Sequence, residues 1–202
     1  MAHDHDHDHD HDHDHDHDHG DEDDDQQLRL ERAALRRRAL AQIRQYPDVA
    51  LRLKAHEVTD FDDDLARLIE RMTHLMHDAQ GVGLAATQAG VLRRLFVFQP
   101  DEDGPRAVVN PRLSKESRDK ETDEEGCLSL QGVRVPVERP IKVTLEGQDA
   151  AGDAVRWEFE GLNARVVQHE LDHLDGVLII DRTDEENRKQ ALGVLRPQPV
   201  LG

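Results

Sequence analysis

Gly161-Leu162-Asn163-Ala164-Arg165-Val166-Val167-Gln168-His169-Glu170-Leu171-Asp172-His173-Leu174 reads as a helix, and its last turns decide what the chain folds around. Two histidines four residues apart, His169 and His173, share one helical face and can reach a single metal ion, with Glu170 beside it. A hydrolytic metal site needs three protein ligands, an open position for water and a carboxylate to handle the water's proton. Two ligands and a base are therefore in this helix, and the third ligand comes from elsewhere. The chain's only cysteine, Cys127 in Glu125-Gly126-Cys127-Leu128-Ser129, is the candidate. A Cys/His/His site is the working reading.

Around this helix the chain reads as short strands: Leu95 to Phe98, Ala107 to Val109, Ile141 to Leu145 and Val155 to Phe159, separated by turns at Asp103-Gly104-Pro105 and Gly147 to Gly152. Val177 to Ile180 reads as a further buried strand, and Asp184 to Leu195 as a short polar helix. Upstream, Leu65, Leu68, Ile69, Met72, Leu75 and Met76 recur at helical spacing between Asp62-Asp63-Asp64 and Gly81, which predicts a core-packing helix. His74 and His77 lie beside that stripe and read as surface histidines. Residues 28 to 44 read as an arginine-rich helix, ended by Tyr46-Pro47-Asp48. The expected fold is α+β, with short antiparallel strands packed around a central metal-binding helix.

Composition narrows the function. The formal charge is -18, but residues 1–25 contribute thirteen acidic groups and no Lys or Arg, so residues 26–202 carry only -5. That mildly acidic body has no general basic stripe, which argues against tight sequence-independent binding of nucleic acid, DNA included. One cysteine cannot close an intramolecular disulfide, which suits a reducing compartment. No apolar run approaches the roughly 18 to 20 residues that span a bilayer, and the acidic N-terminus is the reverse of a signal peptide, so neither secretion nor membrane insertion is expected.

Nine of the fourteen histidines fall in a strict His-Asp alternation over residues 3–19, leaving His56, His74, His77, His169 and His173 for the folded part. With no apolar residue to bury, the leader through Asp25 is expected to stay disordered. It reads either as a solvated tail, natural or added, or as a weak multivalent binder of divalent metals that supplies the site downstream. The expected organisation is a leader over 1–25, an arginine-rich helical extension over 26–42 and one catalytic domain over 43–202. The extension reads as a solvated face, the alternative being contact with an anionic surface such as ribosomal RNA.

Three glycine-punctuated blocks stand out: Gly81-Val82-Gly83-Leu84-Ala85-Ala86-Thr87-Gln88, Glu125-Gly126-Cys127-Leu128-Ser129, and Gln168-His169-Glu170-Leu171-Asp172-His173-Leu174-Asp175-Gly176. In this order they resemble the three signature motifs of the peptide deformylases, over about Ile43 to Leu195. The resemblance implies a ferrous iron on Cys127, His169 and His173, with zinc, nickel or cobalt able to substitute. It also implies removal of the formyl group from the N-terminal formylmethionine of nascent chains, releasing formate. Metal-bound hydroxide would attack the formyl carbon, and Glu170 would act as general base and then acid. The side-chain amide of Gln88 and the backbone N–H of Leu128 would meet the charge that develops on the formyl oxygen. Iron(II) held by an accessible thiolate is expected to lose activity in air.

The same resemblance implies N-formylmethionyl peptides as substrates, transient ribosome contact at most, and a bacterial cytoplasm. A substrate pairing as an extra strand along Gly81 and Gly83, with Gly126 beside the cysteine, would be held through its main chain. Val82, Leu162 and Val166 are candidates for an apolar methionine pocket, the last two preceding His169 by seven and three residues on its helical face. Arg134 stands where the family often has an arginine near the substrate backbone. Gln131 replaces a proline found in many members, so a change in loop rigidity is expected. Asp172 and Glu125 sit beside ligands and could hydrogen-bond to them, Asp172 equally reading as a surface residue. The short C-terminal segment ending in Pro197-Gln198-Pro199 lacks a long basic helix for ribosome docking.

Two rivals remain at this stage. A zinc endopeptidase shares the His-Glu-x-x-His pattern, with Glu185 or Glu186 as third ligand, but would leave the cysteine block unexplained. A metal-sequestering protein with an inactive body would make the leader the working part, yet Gln88, Cys127, His169, Glu170 and His173 are all present.

Overall fold

The protein is described by a computed structural model covering residues 20–100 and 104–196. Its packing divides the chain into two units between Ala34 and Leu35. The first unit, within the described residues, is the opening part of helix α1 (Gly20–Leu40). This helix begins earlier and ends sooner than the expected residues 28–44, taking in Gly20 to Asp25. Acidic residues suit the positive end of the helix dipole, and Asp25 accepts a hydrogen bond from Arg29 one turn on, at 2.6 Å. The His-Asp alternation itself lies outside the described residues, as does Pro197-Gln198-Pro199.

The second unit is built on a five-stranded antiparallel sheet in the order β1-β2-β3-β6-β7, from β1 (Gly83–Ala85), β2 (Leu95–Phe98), β3 (Arg106–Glu116), β6 (Lys142–Gln148) and β7 (Ala154–Glu160). Strand β2 is buried along its whole length because helices cover both faces. Leu95 and Val97 join α2 (Asp63–Asp78) in one apolar cluster, with Leu65, Met72 and Met76. Phe96 and Phe98 join α3 (Gly161–Leu174) in another, with Val143, Leu145, Val167 and Leu174. The alternation of a strand thus sends successive side chains into two different cores. Each such fully buried side chain is worth roughly 1.5–3 kcal/mol.

Helix α2 starts where Asp62 caps it, its carboxylate accepting the Leu65 N–H at 2.9 Å, a contact worth about 1 kcal/mol. Strand β7 runs into α3 without a loop, because Gly161, at φ +60°, turns the chain there. A separate two-stranded sheet pairs β4 (Lys120–Gly126) with β5 (Arg134–Pro140). Val133, Val135 and Val137 face a third cluster with Leu178, Ile179, Ile180 and Ala191 of α4 (Glu185–Leu195). The expected strand over Val177 to Ile180 is instead a 3₁₀ turn at Ile179–Asp181. Its apolar residues are buried as foreseen, but Asp181 accepts the Leu178 N–H at 2.9 Å and so closes a turn in place of a ladder. His74 and His77 are exposed on α2, as read from their position beside the apolar stripe.

Candidate functional site

Helix α3 is buried along most of its length, so its polar side chains must find partners inside the protein. His169 and His173 stand with ring centroids 5.0 Å apart. Cys127, on the turn after β4, brings its Sγ to 3.2 Å from His173 Nε2. The donor atoms of Cys127, His169 and His173 all lie within 4.8 Å of one another. His169 Nδ1 is engaged by Glu125 Oε2 at 3.0 Å, which leaves Nε2 to act as the ligand atom. One thiolate and two imidazoles form a donor set for a borderline divalent transition metal.

Glu170 fits the same reading. It is buried, and its Oε2 has no hydrogen-bond partner among the described residues. Burial, aided by the nearby Glu125 charge, raises its pKa to about 7 against the opposing pull of His169 and Arg139. Strand β1 leaves room for it through Gly83, since a Cβ there would lie 2.7 Å from Glu170 Cδ. At Gly81 a Cβ would lie 2.7 Å from Leu128 Cδ1 and push the end of that side chain aside. Neither these glycines nor Gly126 has a positive φ, so at Gly81 and Gly83 the absence of a side chain serves close approach. At Gly126 a Cβ would make only ordinary contacts with this chain.

The orientation of Gln88 follows from its hydrogen bonds. Its Oε1 accepts the Ala85 N–H at 2.9 Å, so the amide group must point the other way. Nε2 donates to Ser129 Oγ at 3.1 Å and lies 3.7 Å from Cys127 Sγ. A donor is thereby fixed at the mouth of the thiolate site.

Beneath the three donors lies a network of buried charge that the sequence reading found only in part. Glu125 accepts from Arg139 Nε at 2.6 Å and Nη2 at 3.0 Å, and from Arg165 Nη1 at 2.8 Å. Arg139 also donates to Asp172 at 2.9 Å, and Arg182 pairs with Asp172 through a two-point contact. Asp172 is therefore a buried partner of two arginines, which decides against its surface reading. Burial pushes the Glu125 carboxyl up, but the hydrogen bonds from His169 and Arg139 overcome it and hold it far below the carboxylate range. Arg139, Arg165 and Arg182 were not foreseen. The signal existed for one of them, because Val133, Val135, Val137 and Arg139 recur at period two, which puts a cation on an inward-facing position.

A cleft of about 450 Å³ opens onto these groups. Its walls include the expected substrate contacts Val82, Gly83, Gly126, Arg134, Leu162 and Val166, together with Gln88, Cys127, Leu128, His169 and Glu170. Val166 is buried while Val82 and Leu162 are exposed apolar side chains at the rim. Arg134 reaches back to the Glu124 carbonyl at 3.0 Å. A larger cleft of about 780 Å³, lined by Lys54, Asn110, Arg112, Gln148 and Arg156, holds no cysteine or histidine, so the chemistry selects the smaller one.

A part-buried three-donor centre, an open cleft and a carboxylate among its lining define a metal-dependent hydrolase. The chain matches the family model for polypeptide deformylase over residues 40–189. It is 47% identical over 161 residues to peptide deformylase 1 of Corynebacterium glutamicum, covering 78% of this chain and 95% of that protein. It is 45% identical over 146 residues to the peptide deformylase of Thermotoga maritima, covering 72% and 88%. The crystal structure of the Thermotoga maritima enzyme superposes with a TM-score of 0.68 at 46% identity, over 70% of this chain and 96% of that one. The Legionella pneumophila peptide deformylase gives 0.73 at 39% identity, over 76% and 91%. The chain belongs to the polypeptide deformylases, metal-dependent hydrolases that remove the formyl group from the N-terminal formylmethionine of nascent polypeptides.

Proposed function

We propose that Cys127, His169 and His173 hold an iron(II) ion, with zinc, nickel or cobalt able to replace it, and that Glu170 is the general base and acid of the reaction. The observation that carries this reading is the convergence of the three donors with the partnerless Glu170 Oε2 in one cleft. When bound, the metal supplies a Lewis acid that lowers the pKa of water and polarises the formyl oxygen. Glu170 takes the proton of the attacking water as its oxygen bonds to the formyl carbon, then hands that proton to the amine as the C–N bond breaks. Formate and a free methionyl amino terminus result. A base with a pKa near neutrality suits both transfers.

The Gln88 amide, its direction set by the Ala85 N–H, would donate to the oxygen on which charge develops, with the Leu128 N–H as second donor. Strand β1 is an edge of its sheet among the described residues, and Val82 and Gly83 line the cleft, which supports a peptide held as an added strand. The methionine side chain would enter between Val82, Leu162 and Val166, and Arg134 would meet the peptide backbone. No helix of the described residues is long and apolar enough to cross a membrane. We place the activity in a bacterial cytoplasm, with transient contact to the ribosome during synthesis. We divide the chain into a leader over 1–25, a helical extension over 26–42 and a catalytic domain over 43–202. Formate release from a short formyl-Met peptide, abolished in Glu170→Ala, tests the reading.

A further inference from the structure

Gln131 is exposed on the same β4–β5 loop as Cys127, and two hydrogen bonds through Gln45 link its side chain to the Leu128 carbonyl. Its Nε2 donates to Gln45 Oε1 at 3.0 Å. Gln45 Nε2 in turn donates to the carbonyls of Ile43, at 3.1 Å, and Leu128, at 3.0 Å. Two carbonyl oxygens at that end admit only the NH₂ group, so the Gln45 amide has one orientation and its oxygen must face Gln131. Gln131 must then present its own NH₂.

The Leu128 carbonyl and the Ser129 N–H belong to one peptide unit, at opposite ends of it. That Ser129 N–H donates to Cys127 Sγ at 3.4 Å. A hydrogen bond accepted by the carbonyl polarises the peptide and strengthens its N–H as a donor. The same contact fixes the tilt of the Leu128–Ser129 peptide plane, and Tyr46 holds the following peptide by donating its N–H to the Ser129 carbonyl at 2.9 Å. The two glutamine amides, neither of which lines the cleft, are thus linked to the sulfur through this peptide.

We propose that Gln45 and Gln131 are positioning residues that set the donor strength of the Cys127 thiolate through the Leu128–Ser129 peptide. The inference rests on the reading of Cys127 as a metal ligand. A hydrogen bond to a ligating sulfur draws electron density from it and leaves the metal more acidic. Where proline would stiffen this loop through its ring, Gln131 does so through a hydrogen bond that other side chains can replace or abolish.

The test uses full-length protein loaded with cobalt(II), whose sulfur-to-metal charge-transfer absorption reports the thiolate directly. Cys127→Ser is the control that identifies the band. Gln45→Met, of similar shape but without an amide, moves the band to longer wavelength and lowers kcat by about tenfold, the low end for outer partners of a ligand, with KM little changed. Gln131→Met moves both in the same direction but less, and Gln131→Lys, which keeps a donor, restores them. Because Gln131 is exposed, its variants fold even where Gln45→Met does not. A band that stays in place in folded Gln45→Met or Gln131→Met overturns the proposal, as does a fall in kcat without a band shift. A wild-type cobalt protein with no such band contradicts Cys127 ligation itself, and the proposal falls with it.

Discussion

A Cβ atom on Gly83 would lie 2.7 Å from Cδ and 2.9 Å from Cγ of Glu170, so the bare backbone of β1 is the wall against which the carboxylate proposed as base rests. The conflict is with a buried side chain that has little room to retreat. Gly83→Ala is therefore expected to displace Glu170 by about an ångström and to lower kcat on the order of 100-fold. Metal content per chain should stay at the wild-type level, since the three atoms nearest the added Cβ all belong to Glu170. Steady-state kinetics beside metal analysis checks both, and a Gly83→Ala enzyme with wild-type kcat would show that the contact does not position the base.

Glu170 also costs stability. Burial lifts its pKa from the ordinary 4.5 to about 7, so the folded chain keeps a proton that the unfolded chain has already released in that range. Stability of the metal-free protein therefore falls as pH rises through this window, by roughly 3 kcal/mol at about 1.4 kcal/mol per unit. Glu170→Gln removes the titration. At pH 8 the metal-free variant should melt several degrees above the metal-free wild type, a gain of about 1–2 kcal/mol after the amide's own unmet hydrogen bonds are counted. Equal melting temperatures at pH 8 would mean that the wild-type carboxylate is solvated.

Glu125 works in the opposite sense. Its carboxylate meets Arg139, Arg165 and His169, and its depressed pKa means that its contribution is complete above the ordinary value of 4.5 and is lost as pH falls below it. Glu125→Ala leaves two buried guanidinium groups without this partner, which should destabilise the fold by about 3–5 kcal/mol. It should also weaken metal binding by roughly 10–100-fold, because His169 loses the acceptor that orients its ring. Thermal melts and competition with a chelator measure the two effects. A variant that melts lower but binds metal as tightly as wild type would confine Glu125 to the fold.

Which parts of this arrangement are visible in the sequence depends on how local their cause is. Helix α3 and the pairing of His169 with His173 follow from spacing alone, and four of the five strands named from apolar runs exist, three of them longer than their apolar cores. The β4–β5 pair was missed because Lys120 to Glu124 are all exposed, so β4 carries no apolar alternation of its own. Its partner's alternation ends in Arg139, a residue normally assigned to the surface. The buried arginines are legible only once Glu125 and Asp172 are known to lie under the ligands, which is a tertiary fact. The turn at Ile179–Asp181 shows the limit of apolar runs, since burial of Ile179 and Ile180 was correct and their conformation was not.

The His-Asp alternation over residues 3–19 offers nine imidazoles to metal ions, several times what one catalytic centre needs. If it captures metal for that centre, full-length protein at limiting cobalt(II) fills the Cys127 site more completely than a chain lacking residues 3–19, because a tethered store raises local metal concentration. Charge-transfer absorption at equal total metal measures this. Identical occupancy in the two proteins would leave the leader a solvated tail.

The most direct measurement is formate release from a short formyl-Met peptide by protein reconstituted with iron(II) under anaerobic conditions, with Glu170→Ala beside it. The account predicts rapid formate from the wild type and almost none from a Glu170→Ala variant carrying the same metal content, with activity lost when the wild type is exposed to air. Formate released by metal-loaded Glu170→Ala at the wild-type rate would contradict the assigned base, and no formate from folded, iron-loaded wild type would contradict the account as a whole.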